Sequence, residues 1–316
     1  MIKQVRILLS SALLLAALPA VSQDTISAQS DVSNGVEQDA EGDTIVVTGR
    51  TQEVTGSEVQ RQARAITDSP QHRSTPLARF EDRLCVGVLG MREDFAGLLI
   101  DRVRENAATL DIGVQGDGCN PNFVIAFVPD SQASLSQIVA SNSGLFQNMN
   151  LWDRHDMLLP APAHVWLKVE MRTRDGMPMS EERVGGRPPT SSQQMAHSLI
   201  YTSMRRDITY AMVFFDLNEI DGLSVRQLAD YATMRGLVQT RPSEGMALTS
   251  ILGLFDPDGL QAAALTDFDM AYLTAVYDGI PNLPAIAKLT GVSRELRQIA
   301  DVEDALLDDE AGQTPQ

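Results

Sequence analysis

Few side chains in this chain of 316 residues are suited to acid–base or metal chemistry, since it has only four histidines and two cysteines. His155 lies in a polar stretch with Asp153 and Asp156, and His197 lies near the expected start of a strand, so both histidines are candidate catalytic residues. Asp153, His155 and Asp156 do not share a helix face, and Arg154 would oppose a cation. The stretch therefore favours a hydrogen-bonded polar loop over a metal site.

Asp230 is a third candidate, a carboxylate placed on an expected helix. The apolar run Ile208 to Phe215 predicts a strand, and Ser224 with Gln227 three residues later forms a capping box that starts a helix. The apolar residues of this helix recur at helical spacing, which predicts one buried stripe: Val225, Leu228, Ala229, Ala232 and Gly236. The strand and the helix are expected to anchor the core.

Three stretches resemble a bacterial family catalogued as domain of unknown function 2927, whose core is similar to the zincin metallopeptidases. They are Ser224 to Leu237, Ser250 to Asp256 and Leu265 to Asp278, and together they cover roughly a third of the chain. The resemblance implies a single α+β zincin-like domain with a mixed sheet and packed helices.

The same resemblance argues against peptidase activity. In active zincins the helix carries His-Glu-x-x-His before a glycine, because two histidines at i and i+4 share a face and hold zinc while the glutamate activates its water. Counting back from Gly236 places Ala229 and Thr233 at the histidine positions and Asp230 at the glutamate position. Neither Ala nor Thr is a zinc ligand, so we expect no metal and no cofactor.

The charge balance excludes several classes of partner. Acidic residues outnumber basic ones by 42 to 25, for a formal charge of -17. Nucleic acid and anionic membrane surfaces would repel such a chain. Small basic clusters such as Arg205 with Arg206 are flanked by acids, and the sequence contains no Gly-x-Ser-x-Gly, Walker or Gly-x-Gly-x-x-Gly motif.

The first 22 residues predict a secretory signal peptide. Lys3 and Arg6 provide the basic start, an apolar run from Ile7 to Leu18 follows, and small residues precede a cleavage site near Gln23. The apolar run is shorter than the roughly 20 residues of a spanning helix. We therefore expect a protein exported to the periplasm or to the outer-membrane periphery of a Gram-negative bacterium.

Residues 23–76 are polar, without sustained periodicity, and predict a disordered arm. One segment of this arm resembles the TonB box of outer-membrane receptors, which adds a strand to the periplasmic protein TonB: Asp43, Thr44, Ile45, Val46, Val47 and Thr48, followed by Gly49. TonB, or another envelope protein, is thus an expected partner. The alternative is that Ile45 to Val47 is a β-prone run used as an edge strand.

The folded domain is predicted over residues 77–300, with an acidic tail over 301–316. Cys85 and Cys119 are expected to form a disulfide, because an exported chain with an even number of cysteines favours one. A helix is predicted over Met91 to Leu110, with Phe95 and Leu98 on its apolar face and Arg102 directed outward. Strands are predicted over Phe123 to Val128 and Val165 to Arg172.

Together these features predict a non-enzymatic binding module on a metallopeptidase-like fold without a metal. The alternative is a periplasmic hydrolase that uses Asp230, His155 or His197 in a site of another kind.

Overall fold

The computed structural model describes residues 54–68, 75–141, 157–178, 200–242, 246–257 and 261–312. The predicted signal peptide, the TonB-box-like segment from Asp43 to Thr48, His155 and His197 lie outside these ranges. The predictions made for these segments and residues therefore stay predictions.

Helices and strands alternate along the described chain. The strands are β1 (Ala78–Arg79), β2 (Val86–Leu89), β3 (Phe123–Val128), β4 (Ala163–Thr173) and β5 (Met204–Asp216). The helices are α1 (Gly56–Ile66), α2 (Glu93–Thr109), α3 (Ser131–Ala140), α4 (Val225–Gly236), α5 (Asp267–Tyr277) and α6 (Ala285–Gly312), with a 3-10 turn at Ile251–Gly253. The strand and helix predictions made for β3, β4, β5, α2 and α4 are confirmed.

The sheet is organised around β5. One edge of β5 pairs in antiparallel fashion with β4 from Thr173↔Met204 to Ala163↔Phe215. Its other edge pairs in parallel with β1 and then with β3, and β2 lies in parallel outside β3. The predicted mixture of helices with a mixed sheet is confirmed, and the sheet is of the α/β type because β4 is its single antiparallel strand among the described ones.

Two apolar layers cover the two faces of the sheet. The larger layer joins residues of five helices, α1, α2, α4, α5 and α6, to one face of β3, β4 and β5. The smaller layer lies on the opposite face, where Leu135 of α3 packs with Trp166 and Phe214. The continuous apolar run of β3 follows from this arrangement, because a central strand covered on both faces has no solvent side.

The prediction of a disordered arm extending to residue 76 is wrong for its last part. Helix α1 begins with a capping box formed by Thr55 and Glu58, and it buries Val59, Ala63 and Ile66 in the main core. Local helix signals are present in the sequence, since Thr55 and Glu58 have the spacing of a capping box and the three buried residues recur at i, i+4 and i+7. The polar composition of the surrounding segment favoured a disordered arm instead, and packing against α6 stabilises the helix.

An acidic tail is predicted over residues 301–316, and the acids in its first part belong to α6, which continues to Gly312. Ala, Leu and Glu in the same stretch favour helix. Elongating an existing helix also avoids the cost of nucleating a new one, so the helix extends from its packed first half.

The disulfide between Cys85 and Cys119 is confirmed, with a Cα–Cα distance of 6.1 Å. It joins the residue before β2 to the turn that leads into β3. Chain-entropy models give about 3 to 4 kcal/mol for closing a loop of this length. Among the described helices, none combines the length and the apolar content that a bilayer crossing needs.

Candidate functional site

Helix α4 carries Asp230, the carboxylate that the sequence suggests as a catalytic candidate. The predicted capping box is present, since the Ser224 hydroxyl accepts a hydrogen bond from Gln227 N and the Gln227 side chain accepts one from Ser224 N. Gly236 allows the helix to lie directly on the sheet, because a Cβ there would be 2.0 Å from Phe123 Cε2. Ala229 is fully buried, as predicted.

The Asp230 carboxylate is fully buried and accepts hydrogen bonds on both oxygens. Oδ1 accepts from Arg102 Nε and Asn106 Nδ2, each at 2.8 Å. Oδ2 accepts from Arg102 Nη2 at 3.1 Å and from the backbone N–H of Leu265 at 2.9 Å. A carboxylate has about four lone-pair sites, so these four donors occupy all of them.

Two of the three donor residues, Arg102 and Asn106, lie on α2, and the sequence identified neither as a partner of Asp230. Arg102 was expected to point outward, but its side chain turns toward α4 and forms a bidentate pair with Asp230. The hydrogen bond to Asp230, despite partial burial, raises the pKa of Arg102 further above its ordinary value, so the guanidinium stays charged. Asn106 is buried and gave no sequence signal, because a single amide on an apolar helix face has no partner that the sequence identifies.

Ala229 and Thr233, which the resemblance to zincins aligns with the two zinc-binding histidines, do not fit a zinc ion. Ala229 has no donor atom, and Thr233 Oγ1 donates to Ala229 O at 2.9 Å while accepting from Asn106 Nδ2 at 3.1 Å. Asp230 has no oxygen lone pair left for a metal or for a water molecule. The position therefore serves as a polar link between α2 and α4, and general-base chemistry would require Asp230 to give up a donor.

A second buried carboxylate, Asp207 on β5, was not a predicted candidate. Its Oδ2 lies 2.9 Å from Arg205 Nη2 and 3.6 Å from Arg172 Nε. Its Oδ1 is buried and has no hydrogen-bond partner among the described atoms. Burial raises the pKa of Asp207, although Arg205 opposes the shift.

Asp207 belongs to a band of opposite charges that crosses three strands. Glu81 follows β1 and lies 3.5 Å from Arg205, while Glu170 on β4 lies 3.2 Å from Arg172. The signal was present in the sequence: β4 alternates Lys168, Glu170 and Arg172 at a spacing of two, and β5 begins with Arg205 and Asp207. Such spacing places opposite charges on one face of neighbouring strands.

A cleft of about 490 Å³ lies at the carboxyl ends of β3 and β5. Ligands of open α/β sheets bind at this edge. Asp216, at the end of β5, accepts hydrogen bonds from the backbone N–H groups of Ser131 and Asn218. Burial alone would raise the pKa of Asp216, but these N–H donors outweigh it and lower the pKa. Asp216 thus fixes α3 against β5 and forms one wall of the cleft.

Comparison with protein-family models, with curated proteins and with solved structures returned no match to this chain. Within the described part of the chain, no three His, Cys, Asp or Glu side chains form a group that could hold a metal ion.

Proposed function

We propose that this is an exported protein of a Gram-negative envelope, and that its zincin-like domain acts by binding a partner. The observation that carries the proposal is the state of Asp230, the carboxylate at the general-base position. Arg102, Asn106 and Leu265 N–H occupy both of its oxygens, and Ala229 and Thr233 replace the two ligands that zinc would need. The signal-peptide pattern supports the compartment.

Metal analysis of the purified chain tests the absence of a metal centre. We expect zinc well below one equivalent per chain after purification in zinc-containing buffer, because Ala229 offers no ligand atom and Thr233 only a hydroxyl already engaged in hydrogen bonds. Adding a chelator is expected to leave the unfolding midpoint unchanged. Stoichiometric zinc, or peptide cleavage that a chelator abolishes, would overturn the proposal.

Activity screening against peptides and cell-wall fragments distinguishes the competing function, a periplasmic hydrolase, from the proposed binding function. If activity is found, Asp230→Asn tests whether Asp230 takes part, while His155→Ala and His197→Ala test the two histidine candidates. Activity lost in a histidine variant whose unfolding midpoint is unchanged would favour the hydrolase. No turnover by the full chain supports the binding function.

The TonB-box-like segment supports a specific partner. A peptide of residues 40–52 is expected to bind the C-terminal domain of TonB by adding a strand, since the segment around Val46 is β-prone. Val46→Pro should abolish binding, because proline removes a backbone donor from the ladder. A scrambled peptide of the same composition is the control, and equal binding by both peptides would reject the partner.

A further inference from the structure

The apolar stripe of α6 continues beyond the body of the domain. The first half of the helix packs on α1 and α5 and buries, fully or in part, five apolar residues: Ala285, Leu289, Val292, Leu296 and Ile299. The stripe then goes on at helical spacing with Val302 and Leu306, whose exposed fractions are 60% and 62%. No described residue covers these two side chains, so this part of the stripe has no counterpart within the described domain.

The same half of α6 is strongly acidic. From Gln298 to the end of the chain there are six acids and no Lys, Arg or His: Asp301, Glu303, Asp304, Asp308, Asp309 and Glu310. Negative charges near a helix C-terminus oppose the helix dipole, and like charges four residues apart repel. An occupant carrying cations would relieve both effects at once.

We propose that the face of α6 bearing Val302 and Leu306 is a docking site for a basic amphipathic helix of a partner protein. Such a helix would place apolar side chains on Val302 and Leu306 and its Lys or Arg side chains beside the acids. A second copy of this chain would instead add six negative charges to the interface, and anionic lipid would be repelled in the same way.

A designed peptide provides the probe. It contains only Lys and Leu, is arranged as an amphipathic helix, and is about 20 residues long, which is enough for helix formation on binding. We expect it to bind the full chain with an affinity that weakens as salt is raised. Hydrogen exchange should show slower exchange in residues 296–312 of the complex, because a docked helix opposes the local opening of α6 from which exchange occurs.

Two variants test where the peptide binds. Val302→Gln with Leu306→Gln keeps the charge and should weaken binding by about tenfold or more. Leu98→Gln on α2 removes an equally exposed apolar side chain (60%) and should leave binding unchanged. Both variants alter exposed residues, so their unfolding midpoints should match the parent.

Three results would overturn the proposal. The first is equal binding by a scrambled peptide with the same Lys and Leu content, since charge alone would then explain the affinity. The second is unchanged binding by the Val302/Leu306 variant. The third is a concentration-dependent dimer of the full chain in sedimentation that the Val302/Leu306 variant abolishes, which would assign the face to a second copy.

Discussion

Asp230 and Asp207 are both buried, but their carboxylate oxygens differ in how many hydrogen-bond and ion-pair partners they have. Asp230 has four donors on two oxygens, including both forks of one guanidinium. Asp207 has its cations on one oxygen, and its other oxygen has no partner among the described atoms. Asp230, at the position that resembles a catalytic one, therefore has no oxygen available for chemistry. Asp207 has an oxygen without a partner among the described atoms, and it lies on a strand that carries no sequence motif.

The difference also separates two structural roles. Asp230 joins two helices that lie on the same face of the sheet, so its loss would disturb packing between elements distant in sequence. Asp207 belongs to an ion-pair band along neighbouring strands whose backbone ladder remains intact without it. We therefore expect substitutions at the two sites to differ in size and in pH dependence.

The largest effect is expected for Asp230→Ala. Removing this carboxylate leaves Arg102 with Glu105 as its remaining anion, and it leaves the buried donors Asn106 Nδ2 and Leu265 N–H without the acceptor they share. Unsatisfied buried donors of this kind are expected to cost about 2 to 4 kcal/mol together. Denaturant unfolding followed by circular dichroism measures the loss. Asp101→Ala, which removes an exposed carboxylate from α2, is the matched control and should change stability by less than about 0.5 kcal/mol. A loss below about 1 kcal/mol for Asp230→Ala would contradict the role assigned to it.

Replacing both partners should cost much less than the two single changes together. Arg102→Leu leaves the buried Asp230 with only the more distant and exposed Arg226 as a cation, and Asp230→Leu leaves Arg102 with only Glu105 as an anion. The double variant removes both charges of the buried pair. Asn106 can still donate to Thr233 Oγ1 in the double variant. A double-mutant cycle should therefore give a coupling of about 2 to 3 kcal/mol. Additive effects would show that the pair acts as two separate groups.

Asp207→Asn is expected to change the free energy of unfolding by only about 1 kcal/mol at neutral pH. Only one oxygen of Asp207 is paired with cations, so the attraction of the ion pair exceeds the cost of burying the charge by little. The pH dependence is the sharper readout. Burial raises the folded-state pKa of Asp207, so its contribution to stability is present below the unfolded pKa of about 4 and is lost as pH rises through the folded value.

The stability of the parent relative to the Asn variant should therefore fall as the pH is raised above about 4. Unfolding midpoints of both proteins over a series of pH values from about 4 upward measure the difference. A difference that grows with pH would show that the ion pair with Arg205 outweighs burial.

The smallest effect is expected for Arg226→Ala. Its guanidinium lies 3.9 Å from Asp230 Oδ2, but its side chain is 62% exposed and Asp230 is already satisfied by other donors. The change in unfolding free energy should stay within about 0.5 kcal/mol. A larger loss would mean that Arg226 shares the charge of Asp230 with Arg102.

The sequence predicted those elements whose signals are local. The capping box before α4 and the apolar runs of β3 and β5 were read correctly, because propensity and burial agree in those segments. Helix α1 also carries local signals, a capping box and an apolar i, i+4, i+7 spacing, but the polar segment around it has the composition of a disordered arm. The end of α6 is acidic and stays helical because Ala, Leu and Glu favour helix.

The candidate site was predicted only in part. That Ala229 is buried and that Asp230 lies beside it followed from helical spacing. The donors to Asp230 did not, because Arg102 and Asn106 are more than 120 residues away along the chain. Only the packing of α2 on α4 brings them together, and spacing within one helix carries no information about the side chains of another. Asp207 is the opposite case, since the alternating charges of β4 and β5 are visible in the sequence, but nothing in their spacing shows that Asp207 is buried.

The contact between Gly236 and Phe123 limits how this domain could be redesigned. With α4 pressed onto the ring of Phe123, the helix leaves little room for larger side chains at Ala229 and Thr233. Installing a metal-binding helix would need histidines at both positions and a partner-free acid at 230. Arg102 and Asn106 would then also need replacement, and each single step would leave a buried polar group unpaired. A mutational path from this arrangement to a metal centre therefore crosses several unstable intermediates, so the changes at residues 102, 106, 229 and 233 would have to be introduced together.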